Sequence, residues 1–177
     1  MSTFAERMLG ASKFDVHTYE EVEADTSATG QALGVVVLSS IAAGIGWAGQ
    51  GASGIVAAVL GTLIGWFLWA AVIYVVGTKL LPEPQTRSDI GELLRTTGFA
   101  ASPGVLRILG LVPMLTLLIN FVVGIWMLGT FVVAVRQALD YRSTGRAVLV
   151  CLIGWLFFAV LQVFLFLVLF RSTPAGP

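Results

Sequence analysis

The sequence predicts an all-α fold, a polytopic membrane bundle of five transmembrane helices with a cytoplasmic N-terminus and a third helix kinked or broken. Three observations predict it. Of the 177 residues, 57% are hydrophobic and 11% charged, where a soluble domain carries about 25% charged residues. No Asp, Glu, Lys or Arg occurs from Thr26 to Thr78, from Ile108 to Val135 or from Ala147 to Phe170, and a bilayer core about 30 Å thick needs about 20 helical residues. The remaining Lys and Arg gather in alternate loops, as they do on the cytoplasmic side of membrane proteins. Lipid offers bare backbone groups no partner, so helices are the default. The runs are too continuously apolar for the alternation of a membrane β-barrel.

Residues 1–29 form a cytoplasmic tail. It sets Arg7 and Lys13 against Glu6, Asp15, Glu20, Glu21, Glu23 and Asp25. It lacks the apolar core of a cleavable signal peptide, so the first apolar run directs insertion. Thr3 to Glu6 and Thr18 to Glu21 each fit a capping box, which satisfies the orphan amides of a helix start. Two short interfacial helices are predicted, the first with Phe4, Met8 and Leu9 on one face.

The five-helix transmembrane domain covers residues 30–172. Its first uncharged run holds two spans, at about 32–48 and 55–76, separated near Gly49-Gln50-Gly51. Trp66, Trp69 and Tyr74 lie in the second half of the second span, where amphipathic aromatics favour an interface. Gly77 to Arg95 is a polar loop with Pro82 and Pro84, and Ser88 or Asp89 caps the next helix. The third span, about 93–112, is interrupted at Ser102-Pro103-Gly104, because proline removes a helical hydrogen bond and clashes with the preceding turn. Pro113 helps to end it. The fourth span is about 116–135, Arg136 to Arg146 a basic loop, the fifth span about 147–170, and residues 173–177 a short external tail.

Charge decides the parity. With five spans, Arg7, Lys13, Lys79, Arg87, Arg95, Arg136, Arg142 and Arg146 lie inside and only Arg171 outside. If the third segment did not cross, Arg136, Arg142 and Arg146 would move outside and the asymmetry would largely vanish.

Chemistry-bearing residues are few. Zero net charge gives no argument for nucleic acid. Cys151 has no partner cysteine, and His17 is the only histidine, so neither a disulfide nor a metal site is expected. No carboxylate falls within a span, which leaves a proton relay or an intramembrane aspartyl protease without its groups. Ser39, Ser40 and Ser102 have no identifiable base, and Ser39 and Ser40 are expected to bond back to their own helix. No catalytic residue and no cofactor is assigned.

Two patterns remain. Arg107, Asn120 and Gln162 lie at similar depth in the outer half of three spans and are candidates for one polar cluster lining a small outward-opening cavity. Arg107 is also placed to snorkel to the outer headgroups. Ser53, Ala57, Gly61 and Gly65 form a small-residue stripe at four-residue spacing, a surface on which helix backbones approach closely, either within the bundle or against a second copy.

Several stretches resemble the Yip-one membrane-domain family, in its prokaryotic branch. They are Tyr19-Glu20-Glu21-Val22, Asp25 to Ala32, Thr97-Gly98-Phe99-Ala100-Ala101-Ser102-Pro103-Gly104, Ala134 to Tyr141, and Ser143-Thr144-Gly145-Arg146-Ala147. Their order and their placement against the spans carry the resemblance. It implies a compact multi-span domain, usually of five helices, with a cytoplasmic N-terminus. Eukaryotic members bind Rab-type GTPases in vesicle traffic, but their Asp-Leu-x-Gly-Pro-type motif is absent here. The expected role is therefore a non-enzymatic organiser or adaptor in the cell membrane. Its partners are the lipid bilayer, a cytoplasmic protein docking on the tail or the 136–146 loop, and a second copy in a homo-oligomer. A small transporter or channel built on the Arg107, Asn120 and Gln162 layer is the alternative.

Overall fold

The computed structural model describes residues 2–46, 51–112 and 114–171. Gly49 and Gln50 of the first hairpin, Pro113 and the 173–177 tail fall outside the described residues. The chain forms seven α-helices there: α1 (Phe4–Ser12), α2 (Val16–Ala24), α3 (Thr29–Gly46), α4 (Gly51–Val75), α5 (Ile90–Ala100), α6 (Thr116–Ala138) and α7 (Thr144–Arg171). Wider turns at Val76–Leu80 extend α4, and a 3₁₀ segment, Ser102–Leu111, continues α5.

Helix starts follow local chemistry. At α1 the Thr3 hydroxyl accepts from the Glu6 amide at 3.3 Å while the Glu6 carboxylate accepts from the Thr3 amide at 2.7 Å. Asp89 and Glu92 repeat this capping box at α5. The expected second box, Thr18 to Glu21, does not open α2. Asp15 is the cap, and Thr18 is buried inside the helix with its hydroxyl on the Asp15 carboxylate at 2.8 Å. Gly10 is the reason: any β-carbon there would collide with Thr18, so α2 crosses α1 at that point and needs its first turn already formed.

The packing is inside out relative to a soluble protein. Leu60, Ile64, Phe67, Phe121, Leu156 and Val160 are exposed, whereas Ser39, Ser40, Thr96, Thr97, Ser102 and Thr130 are buried. Exposed apolar surface on this scale marks contact with a membrane, and small hydroxyl residues let membrane helices approach and bond. Four helices are long and apolar enough to cross a bilayer: Thr26–Ile45, Gly54–Leu80, Thr116–Ala138 and Thr144–Phe164. The third expected span is not such a helix. It is α5 followed by the 3₁₀ segment, which packs chiefly between α3 and α6.

That change of helix type has a local cause. Pro103 has no N–H to offer the carbonyl of Phe99, and the Ser102 hydroxyl takes its place at 2.6 Å. The Gly104 amide bonds to Ala101 in the tighter pattern, which frees the Ala100 carbonyl, and Thr130 of α6 donates to it at 2.7 Å. In lipid each freed carbonyl needs such a partner. Gly104 then lies so close to α3 that a β-carbon would strike the Ser39 hydroxyl, and any larger residue would force Ser39 to move.

Trp66 and Trp69 do not stand at an interface as expected. They are 7% and 8% exposed and belong to the bundle core, because small residues on neighbouring helices leave room for the indoles: Ala32 and Gly98 for Trp66, Gly154 for Trp69, whose ring also meets Phe131. Gly98, for instance, packs on Ala32 and on the Trp66 ring.

Candidate functional site

Two polar arrangements stand out from this apolar frame. The first fastens the tail to the bundle. Arg7, 2% exposed, donates to Glu21 at 2.9 Å, to Asp25 at 2.8 Å and to Gln31 at 3.1 Å. One guanidinium thus joins α1, α2 and the start of α3 through its fork of donors. Ser2 and Arg7 hold the Glu21 carboxyl down to about 2. Arg95 of α5 closes the other side, its guanidinium donating to the Val22 and Glu23 carbonyls at the end of α2. The buried Tyr19 hydroxyl donates to the Ala11 carbonyl at 3.0 Å, with the Thr130 carbonyl 3.3 Å away, and burial pushes its pKa up. The Trp126 indole donates to the Ser12 carbonyl at 2.7 Å. Phe14, at φ 63°, turns the chain between α1 and α2 and lays its ring on Gly129.

Glu23 differs from its neighbours. Burial, with the charges of Glu92 and Asp140 adding to it, pushes its carboxyl up to about 7, against the opposing pull of Arg95.

The loops beside the tail are also fastened. Glu83 accepts the Arg142 amide at 3.0 Å, Gln85 donates to the Asp140 carbonyl at 3.1 Å and Arg146 donates to the Pro82 carbonyl at 2.8 Å. The Tyr141 hydroxyl reaches the Leu81 carbonyl at 2.7 Å, and partial burial pushes its pKa up to about 12. Gln137 bonds to Glu20 of the tail at 3.3 Å. Tail, 81–89 loop and 139–146 loop therefore make one polar face at one end of the molecule.

The second arrangement is a cavity of about 620 Å³ among α3, α4, α5, the 3₁₀ segment, α6 and α7. Its walls are mostly apolar, with Ser39, Ser40, Thr62, Thr97 and Arg107 as the polar exceptions. The Ser40 hydroxyl donates back to the Val36 carbonyl at 2.7 Å, and the Trp66 indole donates to the Thr97 hydroxyl at 3.0 Å. Arg107 and Trp69, both in its wall, each carry a buried donor with no partner among the described residues, Arg107 Nε and Trp69 Nε1, the latter lying toward Gly154 of α7.

Of the expected polar layer, Arg107 alone lines the cavity. The Asn120 amide donates to the Thr116 carbonyl of its own helix at 2.9 Å, Gln162 is exposed on α7, and no hydrogen bond joins the three. The small-residue stripe is not covered by a neighbouring helix. Ala57 and Gly61 are exposed, and a β-carbon at Gly61 or Gly65 would meet nothing within 4 Å. The Ser53 side chain lies outside the described residues. Gly65 borders the cavity with Ala58 and Thr62. Sequence reading missed Trp69, Arg95 and Arg7 as organising groups. Only their type, donors beside apolar runs, offered a signal, and it does not tell which donors are paired.

The exposed apolar helices make this a multi-pass membrane protein. No curated protein and no solved structure matches the chain significantly. The profile described as Yip1 domain matches residues 17–166, from α2 to within α7. The segments that line the cavity and form the two loops fall within that match, whereas α1 with Arg7 precedes it, and the protein belongs to the Yip1 domain family.

Proposed function

We propose that this protein is a non-enzymatic membrane organiser whose five helical segments hold a polar cytoplasmic face, and that this face recruits a protein partner. The observation that carries the reading is the fastening of α1 and α2 through Arg7 and Arg95, beside the linked 81–89 and 139–146 loops. A preordered surface binds with less entropic cost than a loose tail. Arg87 and Arg142 stand exposed on it, and Lys13 is exposed at the end of α1. The groups around the cavity include no carboxylate or imidazole, so the reading assigns it no acid–base chemistry.

The loop contacts support five crossings. The 81–89 and 139–146 loops are hydrogen-bonded to one another and so lie on one side. Helix α6, 23 residues long, covers about 34 Å at 1.5 Å per residue. In this reading the chain first travels that distance the other way. The 11 residues of α5 and the 10 of the 3₁₀ segment reach about 36 Å at about 1.5 and 2.0 Å per residue. The Lys and Arg on the loop face favour the cytoplasm as its side. A transporter built on the Arg107, Asn120 and Gln162 layer is less favoured, since Asn120 bonds within its helix and Gln162 faces outward.

Photo-crosslinking groups at Lys13, Arg87 and Arg142 in native membranes test the partner reading. A discrete protein adduct is expected there, absent from the same group at Met114 and lost when Glu21→Gln with Asp25→Asn releases the tail. Adducts of equal yield at Met114, or none at these three positions, would reject it. A reporter fused after Pro177 should read as external; a cytoplasmic signal rejects the five-crossing topology.

A further inference from the structure

We propose that the cavity around Arg107 binds the acidic headgroup and upper chain of an anionic amphiphile taken from the bilayer. Three observations converge. First, two residues of the cavity wall carry donors left without a partner. Arg107 Nε and Trp69 Nε1 are buried without a partner, whereas the Trp66 indole and the Ser40 hydroxyl are already used within the chain. Trp69 is only 8% exposed, so water does not serve it freely. A carboxylate or phosphate oxygen is the natural complement of such donors.

Second, the chain supplies no counter-charge. The sequence has no Asp or Glu between Asp25 and Glu83 or between Glu92 and Asp140, and none after Asp140. Arg107 makes no ion pair among the described residues. Ionisable groups inside membrane segments pair with one another or face a ligand path. With no acid available inside, the negative charge comes from outside.

Third, shape and access select an amphiphile over a soluble anion. The volume, about 620 Å³, falls in the range of small-molecule sites, and its walls include Val36, Phe131, Trp155 and Phe158. Thr62, on its α4 wall, is exposed, and its α4 neighbours Ala57, Leu60, Gly61 and Ile64 are exposed too. The cavity thus adjoins an exposed, apolar stretch of α4, which suits an occupant drawn from lipid. Gly65 keeps this wall open, since its missing β-carbon would point into empty space.

Full-length protein purified in a mild uncharged detergent tests the inference, with phosphatidylglycerol, oleate, phosphatidylcholine and inorganic phosphate as probes. Thermal stability and native mass spectrometry are the readouts. Phosphatidylglycerol and oleate should raise the melting temperature and remain bound, while phosphatidylcholine and phosphate leave it unchanged. Arg107→Gln should weaken phosphatidylglycerol binding by about ten-fold or more, as expected for loss of a charge-assisted contact, and Arg107→Lys should keep most of it. Gly65→Leu fills the cavity at a position with room for the side chain and should abolish binding while the protein stays folded. It decides the matter if Arg107→Gln does not fold. Equal binding of phosphatidylcholine overturns the inference, as does a full shift with phosphate alone. Wild-type affinity in Gly65→Leu does the same.

Discussion

Two arginines divide this molecule between them. Arg7, in a tail that the sequence marks as polar, is 2% exposed and has every reason to be there: two carboxylates and an amide meet its fork. Arg107, in a segment that the sequence marks as membrane, has a buried nitrogen and no partner. The difference teaches that burial of a charge is not one phenomenon. Where the counter-charge is part of the chain, the buried ion organises the fold. Where it is missing, the chain holds an electrostatic debt that only something outside can settle.

The comparison can be broken most severely at the tail. Glu21→Gln with Asp25→Asn leaves Arg7, which is 2% exposed, without a counter-charge as Arg107 is, and leaving a buried charge unpaired costs about 3 kcal/mol. The expected result is a large fall in melting temperature in detergent and rapid proteolysis before Ala28. Arg107→Met, which removes a charge that has no internal partner, should leave the melting temperature of lipid-free protein unchanged or raised. If both variants destabilise equally, the distinction between the two arginines is wrong.

A smaller effect is expected at the break in the third segment. Thr130→Val removes the hydroxyl that serves the Ala100 carbonyl while preserving shape. An unsatisfied buried acceptor costs about 1–3 kcal/mol. Chemical denaturation should register that loss, and hydrogen exchange should rise locally around Gly104.

How much of this was legible beforehand follows the same division. Hydropathy marks the long apolar helices, because lipid contact is a property of each residue's own side chain. The Thr3–Glu6 box and the Asp89 cap are legible because they are contacts within one turn. The two tail helices are readable as short elements, but their clasp on Arg95 and Thr130 is not, since those partners lie over seventy residues and over a hundred residues away respectively. For Trp66 and Trp69, the composition of α4 suggests an interface; the small residues that make room for them stand on other helices. The expected polar layer failed at the same step. Arg107, Asn120 and Gln162 share a depth along their segments, but depth does not fix the rotation of each helix about its axis.

The tail side of the comparison also carries a pH signature. Glu23, with its carboxyl raised from 4.5 to about 7, holds its proton more tightly when the tail is docked than when it is released. Its contribution to docking is therefore full below pH 4.5 and declines as pH rises to 7. Glu21, lowered to about 2, acts oppositely: its contribution is full above pH 4.5 and is lost as pH falls toward 2. Docking followed by limited proteolysis should be firmest near pH 4.5–5, and Glu23→Gln should flatten the decline above it. A decline that persists unchanged in Glu23→Gln would assign it to other groups.

The smallest expected effect lies on the cavity wall and sharpens the account of Arg107. Gly65 is helical, and a β-carbon there meets nothing within 4 Å. Gly65→Ala should stabilise lipid-free protein by about 0.5–1 kcal/mol, since alanine gives up less backbone freedom in a helix than glycine. Gly104→Ala makes the same chemical change where the backbone touches Ser39 and should destabilise. Comparison of the two melting temperatures separates glycine kept for close packing from glycine kept for open space. A stabilised Gly65→Ala would mean that the empty wall is retained at the expense of helix stability, as a site must be when its missing charge is to enter from the bilayer.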